Sequence, residues 1–230
     1  MTEETIVIFN ADDFGASRGI NRGIVDAHAN GVVTSTSFMV TGAAAEEAVG
    51  LSREHPKLAV GLHWDVLGED DEPGYDLNDV AAVRDEFRRQ LDEFERMFRR
   101  LPTHIDSHRH AHMKPHLLPV FREMVEPLGV PLRGDGRVKF TGGFYAQWEW
   151  KVTDLAHVSV AALQGILRNE MAPGWNELSC HPGYVSPDFQ SIYLAERAAE
   201  VKTLTDPAIK ACIAELGYRI ASYADAPKKR

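Results

Sequence analysis

The sequence predicts an α/β protein, a distorted (β/α) barrel of parallel strands with its active site at the carboxyl ends of the strands. Short strand-like apolar runs alternate with helical patterns of about 10–15 residues. The polar motifs follow predicted strands, which is where barrel enzymes hold their catalytic residues. The sequence has no GxGxxG or P-loop motif, so an open nucleotide-binding sheet is disfavoured. Its 230 residues suit one barrel domain over 1–230, of eight strands or fewer.

The first half of the chain gives the clearest pattern. An apolar run predicts a strand over 6–9, and Ser17 is placed to cap a helix that continues to about residue 28. β-Branched residues favour a second strand over 32–40, a helix over 43–55 stops before Pro56, and a third strand covers 58–66. Asp79 caps a long helix in which apolar residues recur every three or four positions from Val80 to Phe98.

The second half continues the alternation less regularly. A strand over 103–108 is followed by a helix over 115–128 and a short strand over 130–133. Residues 134–150 are rich in glycine and aromatic residues and show no regular pattern. A helical pattern over 153–171 leads to a strand over 176–180, a helix near 194–204, another opened by Asp206, and a last strand over 218–221. Helices that connect successive strands imply a parallel sheet.

Composition excludes several classes of function. The formal charge of −9 disfavours a nucleic-acid partner. Cys180 and Cys212 stand in apolar surroundings and indicate neither a disulfide framework nor a cysteine-rich zinc site. We identify no signal peptide and no apolar run long enough to insert into a membrane, so a cytoplasmic protein is expected. Whether the protein forms a homo-oligomer stays open.

Residues 104–112 contain four histidines and an aspartate. Histidine is a common ligand of transition metals. If the segment is a strand, His104, Asp106, His108, His110 and His112 project from one face, because side chains two apart share a face. Since not all four histidines can bind one ion, His104 and His110 are also candidates for structural positions. The segment indicates metal-dependent catalysis.

Three further positions carry candidate chemistry: the pair Asp12 and Asp13, His63, and His181. In the adjacent aspartates one carboxylate could bind a metal while its neighbour, turned to the other side, takes a proton from water. Each motif alone has a simpler, structural interpretation. The aspartates could cap the next helix, His63 could be a core histidine, and His181 could be a loop residue.

Taken together, these motifs resemble the YdjC-like carbohydrate deacetylases. The matching segments are NADDFG at 10–15, GLH at 61–63, THIDSHRHAH at 103–112 and ELSCHPGY at 177–184, in this order, and the resemblance extends from residue 6 to about residue 222. It implies a distorted barrel enzyme that removes acetyl groups from N-acetylated sugars, with magnesium as the expected cofactor. The segment 68–79 looks short for the family.

The resemblance also implies roles for individual residues. Asp13, His63 and His108 match metal ligands, and Asp12 matches the catalytic base. His181 matches a polar active-site position, and we expect it to protonate the departing nitrogen. The ligand types by themselves would also suit zinc or manganese, because magnesium prefers oxygen donors.

Further predictions concern the residues that surround the site. Asp106 is expected to orient a ligand histidine, and His112 to lie near the site. Trp64 and Arg109 depart from the family pattern and are expected near the substrate. Four aromatic residues could stack on a sugar ring or serve ordinary packing: Trp64, Tyr145, Trp148 and Tyr184.

Two other classes of function stay open. A phosphoesterase on the same barrel would favour a second metal ion and more carboxylate ligands. A metal-binding protein without catalysis would tolerate Asp12→Asn. A metal-free glycosidase needs only two carboxylates and would leave the histidines unexplained.

Overall fold

Seven β-strands and seven α-helices make up the computed structural model, which describes residues 3–66, 76–188 and 190–228. The strands are β1 (Thr5–Phe14), β2 (Ser35–Phe38), β3 (Ala59–Trp64), β4 (Ile105–Ser107), β5 (Lys139–Thr141), β6 (Gly174–Cys180) and β7 (Arg219–Ala221). The helices are α1 (Arg18–Ala29), α2 (Ala45–Glu54), α3 (Val80–Phe98), α4 (Leu118–Val125), α5 (Val160–Asn169), α6 (Ala195–Leu204) and α7 (Pro207–Glu215). Within the described ranges, no helix has both the length and the apolar character needed to cross a membrane.

All pairings between these strands are parallel, in the order β4-β3-β2-β1-β6-β5. The first half of β1 also pairs with β7, while its second half pairs with β2. No ladder joins β4 to β5 among the described residues, and only an isolated bridge from Ile105 to Leu132 extends the β4 edge. The sheet is therefore an incomplete barrel, which confirms the predicted fold class.

The helix starts follow the predicted caps. The Ser17 side chain accepts a hydrogen bond from the Ile20 amide at 3.1 Å, and Asp79 accepts from two amides in the first turn of α3. On α3 the apolar stripe is buried against the sheet, with Phe87 and Phe94 at its centre. Residues 68–75 of the segment 68–79, which looks short for the family, lie outside the described residues.

The histidine segment is not the continuous strand that would put its five polar residues on one face. Strand β4 ends at Ser107, and a 3₁₀ segment, His108–Met113, follows. Within it Arg109 and His110 have φ angles of 51° and 52°, in the left-handed region. The turn breaks the alternation after Asp106, so the predicted common row is wrong and its side chains point to different surroundings.

The predicted strand over 130–133 is also wrong, since only the bridge at Leu132 forms there. The segment without a regular pattern, 134–150, contains strand β5 instead. Its three residues are too few for a period-2 pattern to be recognised in the sequence.

Candidate active site

At the carboxyl end of β1, two neighbouring aspartates line the same cavity. The pairing register between β1 and β2 shifts between Ala11 and Phe14, and Asp13 has a φ of 72°. In a regular strand adjacent side chains point to opposite faces, whereas here Asp12 and Asp13 both line the same cavity. A left-handed conformation is uncommon outside glycine, though aspartate is among the residues that tolerate it. The local backbone irregularity therefore presents both carboxylates to one space.

This cavity has a volume of about 540 Å³, within the range of small-molecule sites. Its lining brings together residues from the four predicted motifs and from segments that the sequence did not mark. The lining includes the side chains of Asp12, Asp13, His63, His108, Arg109, His110, Tyr145, Trp150, His181, Tyr193 and Arg197.

Asp12 is held by an arginine. Arg133 donates through Nη1 to Oδ2 at 2.9 Å and through Nη2 to Oδ1 at 2.8 Å, and Asn10 Nδ2 donates to Oδ1 at 2.8 Å. Burial opposes ionisation, but the Arg133 guanidinium outweighs it and lowers the pKa of Asp12 below its usual value. Asp12 is thus an ionised and oriented carboxylate at neutral pH.

Arg133 is a functional residue that sequence reasoning missed. It is fully buried and also reaches Glu177 Oε1 at 2.6 Å and Asp106 Oδ2 at 2.8 Å. Its backbone carbonyl lies 3.0 Å from Nε2 of His112. A single arginine in a short apolar segment carries no sequence signal of this role. The contacts form only when the ends of several strands come together.

Asp13 faces the histidines. Its Oδ1 lies 3.0 Å from Nδ1 of His108 and 3.4 Å from Nε2 of His63, and its Oδ2 accepts from Arg197 Nη2 at 2.6 Å. Burial opposes ionisation here as well, yet Arg197 and His108 hold the pKa of Asp13 well below its usual value. Arg197, on α6, was also missed by sequence reasoning.

Asp13, His63 and His108 fit a metal ion. One ligand atom from each lies within 4.8 Å of the others. His63 Nδ1 lies 2.7 Å from Asp106 Oδ1, which leaves Nε2 directed toward Asp13. A carboxylate on the outer nitrogen of a ligand histidine is the usual support in metal sites. In a second group, Asp12 with His63 and Asp106, the ligand atoms also lie within 4.8 Å of one another, but both carboxylates already pair with Arg133.

Charge balance supports the same conclusion. The buried cluster contains four carboxyl groups and two guanidinium groups, on Asp12, Asp13, Asp106, Glu177, Arg133 and Arg197. The carboxyl groups outnumber the guanidinium groups, and this excess of buried acidic groups favours a bound cation. The pKa of His63 reflects this excess: burial should lower it, but Asp106 raises it well above the usual value.

His181 lies on the Asp12 side of the cavity, with Nε2 3.9 Å from Asp12 Oδ2. Burial lowers the pKa of His181 to about 4, so the imidazole is neutral at pH 7. Its backbone N–H donates to Glu200, which also accepts from the Tyr193 hydroxyl at 2.6 Å. Burial raises the pKa of Glu200 to about 7. No pattern in the sequence indicates a role for Glu200.

For two aromatic candidates the substrate contact considered from the sequence is wrong. Trp64 does not face the cavity: it is fully buried and packs on Phe121, with ring centroids 4.7 Å apart. Tyr184 is not among the lining residues, and its hydroxyl donates to Asp26 on α1. Neither side chain is positioned to stack on a ligand in this cavity.

The remaining candidates divide between the cavity and its support. Arg109 and His110 line the cavity. His112 is fully buried behind it, between Ser107 and the carbonyl of Arg133. His104 is buried as well and stacks on Tyr223, with ring centroids 3.9 Å apart.

Comparison with known proteins places this geometry in a family. A family model described as YdjC-like protein matches residues 6–215. A chitooligosaccharide deacetylase of Serratia marcescens is 34% identical over 258 aligned positions, which cover 96% of this chain and 99% of the relative.

Solved structures show the same fold. An Enterococcus faecalis protein named for cellobiose-phosphate cleavage superposes with a TM-score of 0.80 at 26% identity, covering 96% of this chain and 98% of that one. A family 4 carbohydrate esterase of Streptomyces lividans, solved with acetate, gives a TM-score of 0.61 at 14% identity, covering 99% and 98%. At this low identity the second likeness concerns the fold alone.

Proposed function

Because the chain belongs to the YdjC-like family, we propose that it is a metal-dependent hydrolase that removes acetyl groups from N-acetylated sugars, with short chitooligosaccharides as substrates. The Serratia relative, a chitooligosaccharide deacetylase, supports this substrate class. The observation that carries the proposal is the placement of Asp12 and Asp13 in one cavity, each with a different set of partners.

Asp13, His63 and His108 would hold the ion. A bound divalent cation would polarise the acetamide carbonyl and lower the pKa of a water molecule. Family resemblance favours Mg²⁺, whereas two imidazole nitrogens and one carboxylate are a donor set that Zn²⁺ or Mn²⁺ accepts more readily. The role of Asp106 is to fix the ring of His63 through the contact at Nδ1.

Asp12 serves as the base for the attacking water. As the water oxygen bonds to the carbonyl carbon, Asp12 takes the released proton. The two hydrogen bonds from Arg133 keep the carboxylate oriented for this step. Because Arg133 also keeps its pKa low, Asp12 is a weak base that gives the proton up again readily.

His181 serves as the proton donor to the departing nitrogen. Its Nε2 is near Asp12 and its ring lines the cavity. The imidazole is neutral before reaction because burial lowers its pKa to about 4. The proton that Asp12 takes from the water passes to this ring, whose Nε2 lies 3.9 Å from Asp12 Oδ2, and negative charge that develops on the amide oxygen favours the protonated imidazole at that stage. When the carbon–nitrogen bond breaks, the nitrogen leaves as an amine with this proton, and acetate remains.

The direct test is acetate release from N-acetylated mono-, di- and trisaccharides, measured with and without a chelator. We expect release that the chelator abolishes and that added divalent metal restores. Activity that survives complete metal removal would contradict the metal-dependent mechanism.

A phosphoesterase is the second candidate, because Asp12, His63 and Asp106 would form a second ligand group, sharing His63 with the first, if the two carboxylates exchanged Arg133 for an ion. Two ions about 3.5–4 Å apart are typical of such enzymes. Metal analysis of the purified protein separates the candidates: one ion per chain supports the deacetylase, and two tightly held ions support the phosphoesterase. A metal-binding protein without catalysis would release no acetate.

A further inference from the structure

An exposed tryptophan stands at the rim of the active-site cavity. Trp150 lines the cavity, yet 66% of its surface is exposed to solvent. A tight turn presents it, since the Val152 amide donates to the Glu149 carbonyl at 3.0 Å and Lys151 has a φ of 62°. An exposed indole costs solvation free energy, so an exposed aromatic at a cavity mouth indicates a ligand surface.

A contact with Arg109 places this tryptophan near the candidate catalytic residues. The guanidinium carbon of Arg109 lies 5.5 Å from the Trp150 ring centroid, and Arg109 directly follows His108, which contacts Asp13. Lys151 approaches the same ring at 5.8 Å. The large exposed fraction shows that these cations leave much of the indole accessible.

Another aromatic pair lies deeper in the same cavity. Tyr145 and Tyr193 stack nearly parallel, with centroids 4.6 Å apart, and the Tyr145 ring is 5.5 Å from that of His181. The cavity thus has one aromatic wall beside the catalytic residues and a separate aromatic side chain at the rim. Two separate aromatic surfaces in one cavity suit a ligand of more than one ring.

We propose that Trp150 is the platform for a second sugar ring, so that the site selects N-acetylated oligosaccharides over the monosaccharide. This inference rests on the proposed function. The reacting sugar lies between the aspartates and Tyr145, and the next ring places its apolar C–H face on the indole. Binding energy gained at this remote ring favours longer substrates.

A different occupant of the rim would be a second copy of the chain. Trp148, Trp150, Val152 and Leu155 are all exposed and near one another in sequence. We favour the sugar because Trp150 is continuous with the catalytic cavity. Trp148 is not among the lining residues and stacks on His157, with ring centroids 4.2 Å apart.

The test compares Trp150→Ala with Trp148→Ala, two substitutions at equally exposed tryptophans. Acetate release gives kcat/KM on N-acetylglucosamine and on its acetylated di- and trisaccharide, after thermal unfolding has shown that both variants fold. We expect Trp150→Ala to lower kcat/KM about tenfold on the two oligosaccharides and less than twofold on the monosaccharide. Trp150→Tyr should retain most of the preference, and Trp148→Ala should change none of the values.

Three outcomes would overturn the proposal: equal effects of the two alanine variants, an equal loss on monosaccharide and oligosaccharides, or a Trp150→Ala variant that loses a dimer while keeping its substrate preference. Failure of the proposed function is distinguishable, because the wild type then releases no acetate from any substrate. In that case the affinity for the trisaccharide, measured by calorimetry, tests whether Trp150 is the platform. Binding that Trp150→Ala weakens about tenfold supports the platform, and equal binding or none refutes it.

Discussion

Asp12 and Asp13 are neighbours in the chain, yet their closest hydrogen-bond partners differ. Asp12 is enclosed by Arg133 and Asn10, which use both of its oxygens. Asp13 gives one oxygen to Arg197 and turns the other toward two histidines. One carboxylate is thereby held in one orientation, and the other keeps an oxygen for an ion. Sequence adjacency does not imply a shared role when the partners come from different elements.

Helix α6 connects these two surroundings. It carries Arg197, which pairs with Asp13, and Glu200, which accepts a hydrogen bond from the His181 backbone beside Asp12. A substitution that shifts α6 near Asp13 can therefore also affect the surroundings of Asp12. The following predictions test how far the two surroundings act separately.

The largest effect is expected for Asp12→Asn. An amide cannot take the proton of water, so kcat should fall by roughly 10²–10⁴ while the metal is retained. Acetate release and metal content of the same preparation check this. Unchanged activity would show that Asp12 is not the base, and loss of the metal would show that Asp12 is not separate from the metal site.

Asp13→Asn is the matched change on the other carboxylate. Loss of a charged ligand should weaken metal affinity by more than the roughly 10–100-fold typical of an outer-shell partner. Activity should return in part at high metal concentration, which never rescues Asp12→Asn. Metal titration of both variants gives the comparison, and equal affinities would contradict the assigned ligand set.

Substitutions of the two arginines should have smaller effects, each on a different quantity. Lysine cannot reproduce a two-pronged guanidinium contact, so Arg133→Lys should lower kcat with the metal retained. Arg197→Lys should instead lower metal affinity by roughly 10–100-fold. Both keep the positive charge, and thermal unfolding monitors the fold. If either variant shows the other's effect, the two surroundings are not independent.

The smallest effect is a pH dependence of stability from Glu200. Burial raises its pKa to about 7, above the ordinary value of about 4.3. The folded state then holds a proton that the unfolded state releases, so stability from this group is lost as pH rises from about 4.5 to 7. The slope is at most about 1.4 kcal/mol per pH unit.

Glu200→Gln removes this titration. Denaturant unfolding at pH 5, 6 and 7 should therefore show the variant gaining stability relative to wild type as pH rises. Parallel curves for the two proteins would show that Glu200 does not titrate in this range. A shift in the metal affinity of Glu200→Gln would show that α6 couples the surroundings of Asp12 and Asp13.

Much of the architecture was predictable because its signals are local. Ser17 and Asp79 cap helices through side chains that reach amides two or three residues away. The apolar stripe of α3 follows from helical period alone. The predicted row from His104 to His112 failed for a local reason as well, since two residues with positive φ end the strand period.

The candidate site was predictable only in part. Family motifs led to Asp12, Asp13, His63, His108 and His181, which line one cavity. They could not show that Trp64 is buried. They also gave no sign of Arg133, Arg197 or Glu200, since an isolated charged residue shows no pattern in a sequence. Its partner is set by the fold.

The sequence by itself determined the parallel α/β arrangement and the residue types that carry the chemistry, because periodicity, capping and motif spacing act over short distances along the chain. The tertiary structure decided which groups share a space. It brought Arg133 to Asp12 and Arg197 to Asp13 across separations of 121 and 184 residues. It also placed Trp150 at the rim of their cavity. Burial and long-range charge pairing arise only when distant segments pack together, so they set the pKa values and positions that no local pattern records.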